Sequence, residues 1–322
     1  MTPSSILVSL RDLESSDEPT HLAIGMFDGV HLGHARVVAS SVEAAGGSGG
    51  SSVVLTFAGH PSQLLQPENP TPLIMASETK AARLLELGAD RVVLQVFDEA
   101  FSKIEADDFV AHLQAVVPSL STIQVGQNFR FGRGRLGDVK LLADTSASIG
   151  IELSVSEPVE DGGERISSSR IRSALAKGRI SRVNEMLGHC YQASGFVERG
   201  AGRGAGLGFP TLNLSWSPGA NPLHGVYAVE LLADEGAGWS QGVANYGVRP
   251  TFEQGEDNPI LETHLFEDPK IKPGDRIRVA FRSFIRQEQR FQSADELRLQ
   301  IALDKEAARS CLAESSPLKT GI

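Results

Sequence analysis

Cysteine is nearly absent: Cys190 and Cys311 are the only two in 322 residues, and they form no CxxC pair. That argues against a disulfide framework and against a thiolate zinc site. No run approaches the roughly 18 apolar residues of a membrane span. The opening stretch MTPSSILVSLRDLESSDEPT lacks a basic segment followed by an apolar core, so no signal peptide is expected. Basic residues are short as well. Thirty Lys and Arg against 40 Asp and Glu leave a formal charge of −10, which speaks against a broad basic surface for nucleic acid or anionic membrane. A local cluster of Arg or His on such a protein can still bind a nucleotide. The expectation is a soluble, cytoplasmic protein with small-molecule partners and neither nucleic acid nor membrane among them.

What is present is enough apolar sequence for two cores, arranged in two textures. Up to about residue 186, short apolar runs (HLAIGMF, SVVLTF, DRVVLQVF, STIQVG, IELSVSEPV) alternate with stretches of helical spacing (GHARVVASSVEAA, SETKAARLLELG, EADDFVAHLQAVV, GDVKLLADTSASIG, SSSRIRSALAKG). This alternation predicts an α/β domain, a parallel sheet covered by helices, with ligands beyond the carboxyl ends of the strands. GGSGGSS (residues 46–52) reads as a flexible connector. Beyond residue 187 the runs YQASGFVERG, TLNLSW, GVYAVELLAD, QGVANYGV, ILETHLF and DRIRVAFRSFI are β-rich and broken by Gly and Pro, which suits an antiparallel barrel or sandwich. SADELRLQIALDKEAARSCLAE then has helical periodicity and a capping signal at its start. The predicted domains are 1–186 and 187–322.

Three stretches of the first half carry chemistry. In GMFDGVHLGH (residues 25–34) an apolar run ends in a glycine-bearing turn, which includes Gly25, and opens a helix. Such a turn aims backbone N–H groups and a positive dipole end at a ligand. His31 and His34 on the first helical turn suit a polyphosphate: protonated or hydrogen-bonding, they stabilise charge growing on a phosphoryl oxygen. Asp28 is placed to orient one ring or to contact the substrate. Taken alone, the stretch also admits a metal site, without a third ligand nearby, or an ordinary helix start. GQNFRFGRGRLGD offers Asn128 with Arg130, Arg133 and Arg135. Its formal GxGxxG (Gly132, Gly134, Gly137) comes four strands in and has Arg at two variable positions, so it is not read as a dinucleotide fingerprint. ERISSSRIR sets Ser168 and Ser169 at a helix start with Arg165 and Arg172 alongside, which reads either as a phosphate site or as a serine cap with surface arginines.

In the second half, GAGRGAGLGFPTLNL has no Walker lysine and no helix after it. It reads as a glycine flap, with Gly202, Gly204 and Gly206 able to wrap phosphates, running into Thr211 and Asn213. If extended, those two present oxygen donors on one side, suited to Mg²⁺. Glu262 is the one acid in a short apolar strand, a natural general base for a hydroxyl.

Taken together, H-x-G-H after FDG, G-x-N-F-x-F-G, and I-S-S-S-x-I-R resemble the adenylyltransferase module of the bifunctional prokaryotic riboflavin kinase/FMN adenylyltransferase (FAD synthetase) family. G-F-P-T-x-N, G-V-Y, G-V-A-N-x-G-x-R-P-T-F and L-E-x-H-L, in that order, resemble its kinase module. The resemblance runs from about residue 20 to about residue 310. It implies a Rossmann-like nucleotidyltransferase α/β domain followed by a six-stranded antiparallel β-barrel and a C-terminal helix. It implies two reactions, phosphorylation of riboflavin to FMN and adenylylation of FMN to FAD, both using ATP with Mg²⁺. By the same resemblance His31 and His34 bind ATP phosphates and stabilise the α-phosphoryl transition state, and Asn128 contacts substrate. Arg165, Ser168, Ser169 and Arg172 bind the pyrophosphate end, and Phe57, His60 and Pro61 lie near the flavin. Thr211 and Asn213 hold Mg²⁺-ATP under the glycine flap, while Glu262 deprotonates the ribityl 5′-hydroxyl. Several positions depart from the family's pattern: Ala58-Gly59 before the His-Pro pair, Ser169 for Thr, Ala205 in the flap, and Tyr246 and Val248 in the N-x-G-x-R-P stretch.

Overall fold

The computed structural model describes residues 5–14, 16–199, 206, 208–233, 238–248, 259–267 and 270–314. Two compact units divide the chain, Met1–Ser168 and Ser169–Ile322.

In the first unit β1 (Ile6–Leu7), β2 (Thr20–Ile24), β3 (Ser51–Phe57), β4 (Arg91–Gln95), β5 (Leu120–Gly126) and β6 (Glu152–Ser156) form one sheet in the order β1-β4-β3-β2-β5-β6. All its pairings are parallel. β2 is buried at every position and β3 at all but its ends, as strands covered on both faces must be. One face packs Leu22, Ile24, Leu55 and Val93 against α5 (Phe109–Val116) and α6 (Val139–Ser148). The other packs Ala23, Val54 and Val92 against α1 (Leu32–Ser48) and α3 (Ser77–Glu86). Chain order reverses at β2, with β3 on one side and β5 on the other, so a crevice opens beyond the carboxyl ends of β2 and β5. This is a Rossmann-like sheet, and both GMFDGVHLGH and the Asn128 loop leave from that point.

One local expectation fails. The stretch 46–52 is not a flexible connector: α1 continues through Gly46 and Gly47 to Ser48, ends on Gly49 at φ 71°, and β3 begins at Ser51. Two glycines cost such a helix on the order of 1 kcal/mol each. Anchoring offsets them, since the Ser48 hydroxyl lies 2.7 Å from His21 Nε2 and donates to the Ala44 carbonyl at 3.0 Å. On α3, the Ser77 hydroxyl donates to the Ala58 carbonyl.

The second unit contains α8 (Ile180–Leu187) and a six-stranded antiparallel sheet: β9 (Gln192–Phe196), β10 (Leu212–Ser215), β11 (Gly225–Leu232), β12 (Ser240–Val248), β13 (Pro259–Leu265) and β14 (Arg276–Gln287), in the order β10-β13-β12-β11-β14-β9. The outer strands meet where the Glu198 N–H donates to the Asn213 carbonyl at 2.8 Å, which nearly closes a barrel. Its interior is aromatic, with Tyr191, Tyr227, Tyr246 and Phe281 fully buried and Trp216 among them. The three tyrosine hydroxyls all reach one connecting segment, at the Ala220 carbonyl, the Leu223 carbonyl and Asn221 Oδ1. Tyr246, a departure from the family pattern, is thus a core residue with its hydroxyl satisfied.

The last helix, α9 (Ala294–Ala313), starts as its sequence predicts, with Ser293 Oγ accepting from the Glu296 N–H at 3.2 Å. Ala308 and Leu312 pack on Val226, Ala228 and Val243. Asp304 receives Arg286 through both carboxylate oxygens, at 2.8 and 2.7 Å, with Gln300 adding a third bond at 2.9 Å. Removing one partner of such a pair strands the other. Asp304→Ala should therefore lower the unfolding free energy by about 2 kcal/mol, read as a drop in the denaturant midpoint. An unchanged midpoint would mean that α9 is held by its apolar face alone.

Candidate functional sites

The turn between β2 and α1 is built under strain. Phe27 and Val30 have φ of 47° and 42°, in the left-handed region that bulky and β-branched residues avoid, and Gly29 has φ 84°. Both Phe27 and Val30 are buried. A side chain at Gly25 would meet the Phe27 ring at 3.1 Å, so glycine there is a packing requirement. His31 is the N-cap of α1, and its ring Nδ1 accepts the His34 N–H at 3.3 Å. A nitrogen that accepts in this way carries no proton, so a neutral His31 carries its proton on Nε2. The two imidazoles are stacked, 3.5 Å between centroids and 15° between planes. Gly33 allows this, since a Cβ there would lie 3.1 Å from the His31 ring.

Burial pushes the His31 pKa down to about 4, with the Arg165 charge acting the same way. His34 is held well below its ordinary value by burial, then by the charges of His31 and Lys80. Of the two expected states, protonated or hydrogen-bonding, the stack therefore takes the neutral one. His34 Nδ1 is buried and has no hydrogen-bond partner among the described residues.

Asp28 is 1% exposed, and its carboxylate accepts the Ile74 N–H at 2.9 and 3.2 Å, so it pins the turn to the following loop. Its carbonyl accepts the Ser168 hydroxyl at 3.0 Å, which brings the start of α7 (Ser168–Ala176) to the histidine turn. Arg165 is exposed on β8 (Glu164–Arg165), a hairpin strand paired with β7 (Glu160–Asp161). Ser169 is exposed and Arg172 half-buried on α7, both beyond the division between units. Asn128 is exposed in the turn leaving β5. Of the arginines in its loop, Arg130 pairs with Asp138 at 3.5 Å and Arg133 with Glu105 at 2.9 Å. These two serve the loop, and the glycines fit it by packing: Gly137 lies against the Phe131 ring and Gly132 against Ala106.

Phe57, at the end of β3, packs edge-on against Phe97 and Phe101 at 5.4 Å from each, an apolar wall that sequence reading did not assemble. His60 Nδ1 accepts the Ser62 N–H at 3.1 Å, and Pro61 caps the short helix Ser62–Leu65.

Lys80 was also missed. It is 1% exposed, and its Nζ donates to the Phe57 carbonyl at 2.7 Å and the Met26 carbonyl at 3.2 Å. The signal was available: Lys80 occupies the buried stripe of α3 with Ala81 and Leu84. Burial lowers its pKa to about 8, against the opposing pull of Asp28.

In the second unit the antiparallel register sets Asn213 opposite Glu262 and Glu262 opposite Asn245, three side chains abreast on one face. Asn213 is buried and Glu262 half-buried. Thr211 precedes β10 by one residue. Amide, hydroxyl and carboxylate oxygens are the donor set Mg²⁺ prefers. Among the described residues no cluster of three or more His, Cys, Asp and Glu could hold a metal ion. His264 donates from Nδ1 to the Pro210 carbonyl at 2.9 Å, tying the segment before Thr211 to β13. Gly202, Gly204 and Ala205 lie outside the described residues. Gly206 is exposed.

The matching family models are FAD synthetase over residues 13–170 and riboflavin kinase over residues 187–312. The bifunctional riboflavin kinase/FMN adenylyltransferase of Escherichia coli strain K12 is 35% identical over 94% of this chain and 96% of its own. That of Bacillus subtilis strain 168 is 32% identical over 89% and 90%. A crystal structure described as a macrolide-efflux protein from Streptococcus pneumoniae shares the fold at a TM-score of 0.84 and 26% identity, covering 94% of this chain and 98% of that one. Among the described residues of this chain, no helix is long and apolar enough to cross a membrane.

The neutral stack has a measurable consequence. Below the ordinary histidine value of 6.5 the unfolded chain takes up a proton that folded His31 refuses until about pH 4. Its contribution is complete above 6.5 and is lost as pH falls through that window. Unfolding by calorimetry should therefore show the protein about 2 kcal/mol less stable at about pH 5 than at about pH 7.5. His31→Ala should flatten that slope; an unaltered slope would mean that the rings are not kept neutral.

Proposed function

We propose, for a chain that belongs to the bifunctional riboflavin kinase/FMN adenylyltransferase family, a division of its two reactions between the histidine turn and the Asn213–Glu262 face. The chain phosphorylates riboflavin to FMN and adenylylates FMN to FAD; ATP, riboflavin, FMN and FAD are its small-molecule partners. The functional boundary is taken at 186/187, in keeping with a kinase-family match that starts at residue 187.

At the first site an oxygen of the FMN phosphate attacks the α-phosphorus of ATP, and pyrophosphate leaves. No covalent intermediate with the protein is needed, so the work is positioning and electrostatics. The observation that carries this reading is the His31 tautomer: with Nδ1 occupied by the His34 amide, Nε2–H is the group left to donate to an α-phosphate oxygen. His34 brings a second imidazole to the same place, and the turn at Gly25 and the amides of α1 add donors. Asn128 is assigned to the substrate. Arg165 and Ser168, followed in the motif by Ser169 and Arg172, are assigned to the departing pyrophosphate. Phe57, with Phe97 and Phe101 behind it, offers the flavin ring an apolar edge next to His60 and Pro61. Asp28 acts here through the turn it fixes.

At the second site Glu262 takes the proton from the ribityl 5′-hydroxyl, whose oxygen attacks the γ-phosphorus of ATP; ADP leaves. Enzymes of this class use ATP with a divalent metal, and Mg²⁺ is assigned here to Thr211 and Asn213. When bound, it would neutralise charge on the transferring phosphoryl group. The flap containing Gly202, Gly204 and Gly206 is assigned to the phosphates. Cytoplasmic work is in keeping with a sequence that holds only two cysteines.

Flavins separated after incubation with riboflavin, ATP and Mg²⁺, beside a parallel tube given FMN, test the division. His31→Ala should cut FAD formation by about 100-fold or more and spare FMN formation. Glu262→Ala should cut FMN formation about as deeply and still make FAD from supplied FMN. Loss of both products in both variants, with the fold intact, would overturn the two-site assignment.

A further inference from the structure

Buried lysines are costly, and Lys80 is an unusual one. Its ammonium makes no salt bridge among the described residues, and its two acceptors are main-chain carbonyls. Those carbonyls are informative. Phe57 is the last residue of β3, and Met26 lies two residues past the end of β2, inside the strained turn. Both are where a parallel ladder runs out and leaves acceptors without partners. Thr56 Oγ1 donates to the same Met26 carbonyl at 2.9 Å. Lys80 thus crosses from α3 to the ends of two adjacent strands and fastens the residue that immediately precedes Phe27.

A role confined to filling space would not need a charge. A methionine or leucine would fill the volume without the desolvation cost of an ammonium. The charge also lies close enough to the histidine stack to hold down the proton affinity of His34. The Asp28 carboxylate beside it secures the other end of the turn through Ile74.

We propose that Lys80 is a positioning residue for adenylyl transfer, its ammonium clamping the Met26 and Phe57 carbonyls so that the turn between β2 and α1 keeps His31 and His34 stacked toward the α-phosphate. This rests on the assignment of that turn to the adenylylation site. Lys80 does not touch the reacting atoms; it acts through the turn. Such residues show in kcat more than in KM, because they set the geometry reached at the transition state while leaving ground-state contacts in place.

The test uses the full chain with Lys80→Met, Lys80→Gln and wild type. Each is assayed for FAD formation from FMN, ATP and Mg²⁺ and, in parallel, for FMN formation from riboflavin. Imidazole ¹⁵N shifts report the His31 and His34 tautomers independently of turnover. The expected result is a fall in adenylylation kcat of about 100-fold for Lys80→Met, with KM for ATP and FMN within about threefold of wild type. Riboflavin phosphorylation should stay at the wild-type rate, and the His31 ring should lose its fixed Nε2–H signature. Lys80→Gln, which keeps amide donors, should recover at least about tenfold of that loss. It also keeps the test open if the methionine variant does not fold. Wild-type adenylylation in either variant, or equal loss of kcat, KM and thermal stability in both, would overturn the proposal. Absence of FAD formation by the wild-type protein would instead remove the underlying site assignment.

Discussion

Phe27 and Val30 sit in backbone conformations that cost on the order of 1–3 kcal/mol each, and the chain around them is arranged to keep them there. The restraint comes from different directions. Phe27 and Val30 are buried in the core under α1 and α3. Asp28 is fixed to Ile74 through its side chain and to Ser168 through its carbonyl, and Met26 is held by Thr56 and Lys80. What the strain achieves is visible at the end of the turn. His31 arrives as an N-cap with its ring folded back over Gly33, against His34. A relaxed turn at the same place would begin the same helix without stacking the rings.

The two candidate sites use their folds in opposite ways. A parallel sheet buries both faces, so it offers a ligand only its strand ends, and the chemistry sits on turns and helix starts at the switch point. There the functional groups are few and the supporting ones many. An antiparallel barrel presents a regular face instead, and cross-strand register alone sets Asn213, Glu262 and Asn245 abreast without strain. The barrel's aromatic interior makes that face stiff. Three tyrosine hydroxyls holding one loop, with Tyr246 raised to about 12 by burial, give the core polar anchors at fixed positions.

Much of this was legible in the residues. The alternation of strand and helix specified the parallel sheet, and Gly/Pro-broken β runs specified the barrel, because both follow from local period. GMFDGVHLGH and the Asn213–Glu262 pair stood out because their residue types are rare in the roles local structure alone would give them. Other features were not legible. The helix through Gly46 and Gly47 depends on His21, 27 residues from Ser48, and propensity does not contain that contact. The short strand β1 and the helix α8 carry too few residues for periodicity to speak. Asp28 is placed by its spacing to orient one ring or to contact the substrate, and only its burial against Ile74 reveals that it also fixes the turn. Lys80 stood in view on the stripe of α3, but a lysine at one buried position reads as a long side chain reaching for solvent until the carbonyls it meets are known.

The neutrality of the histidine stack bears on how such a site meets a polyphosphate. Two imidazolium ions 3.5 Å apart repel strongly at the effective dielectric of a half-buried site, so the protein admits at most one proton to the pair. Arg165 and Lys80 lower that chance further in the absence of a ligand. An approaching anion reverses the sign: its charge favours protonation and rewards every N–H donor aimed at it. Under the proposed assignment of this turn to ATP, its positive character would arrive with the nucleotide. A fixed positive cluster would hold any anion. A stack that becomes a donor array as negative charge accumulates responds most to the state carrying the most charge on the phosphoryl oxygens, which is the transition state.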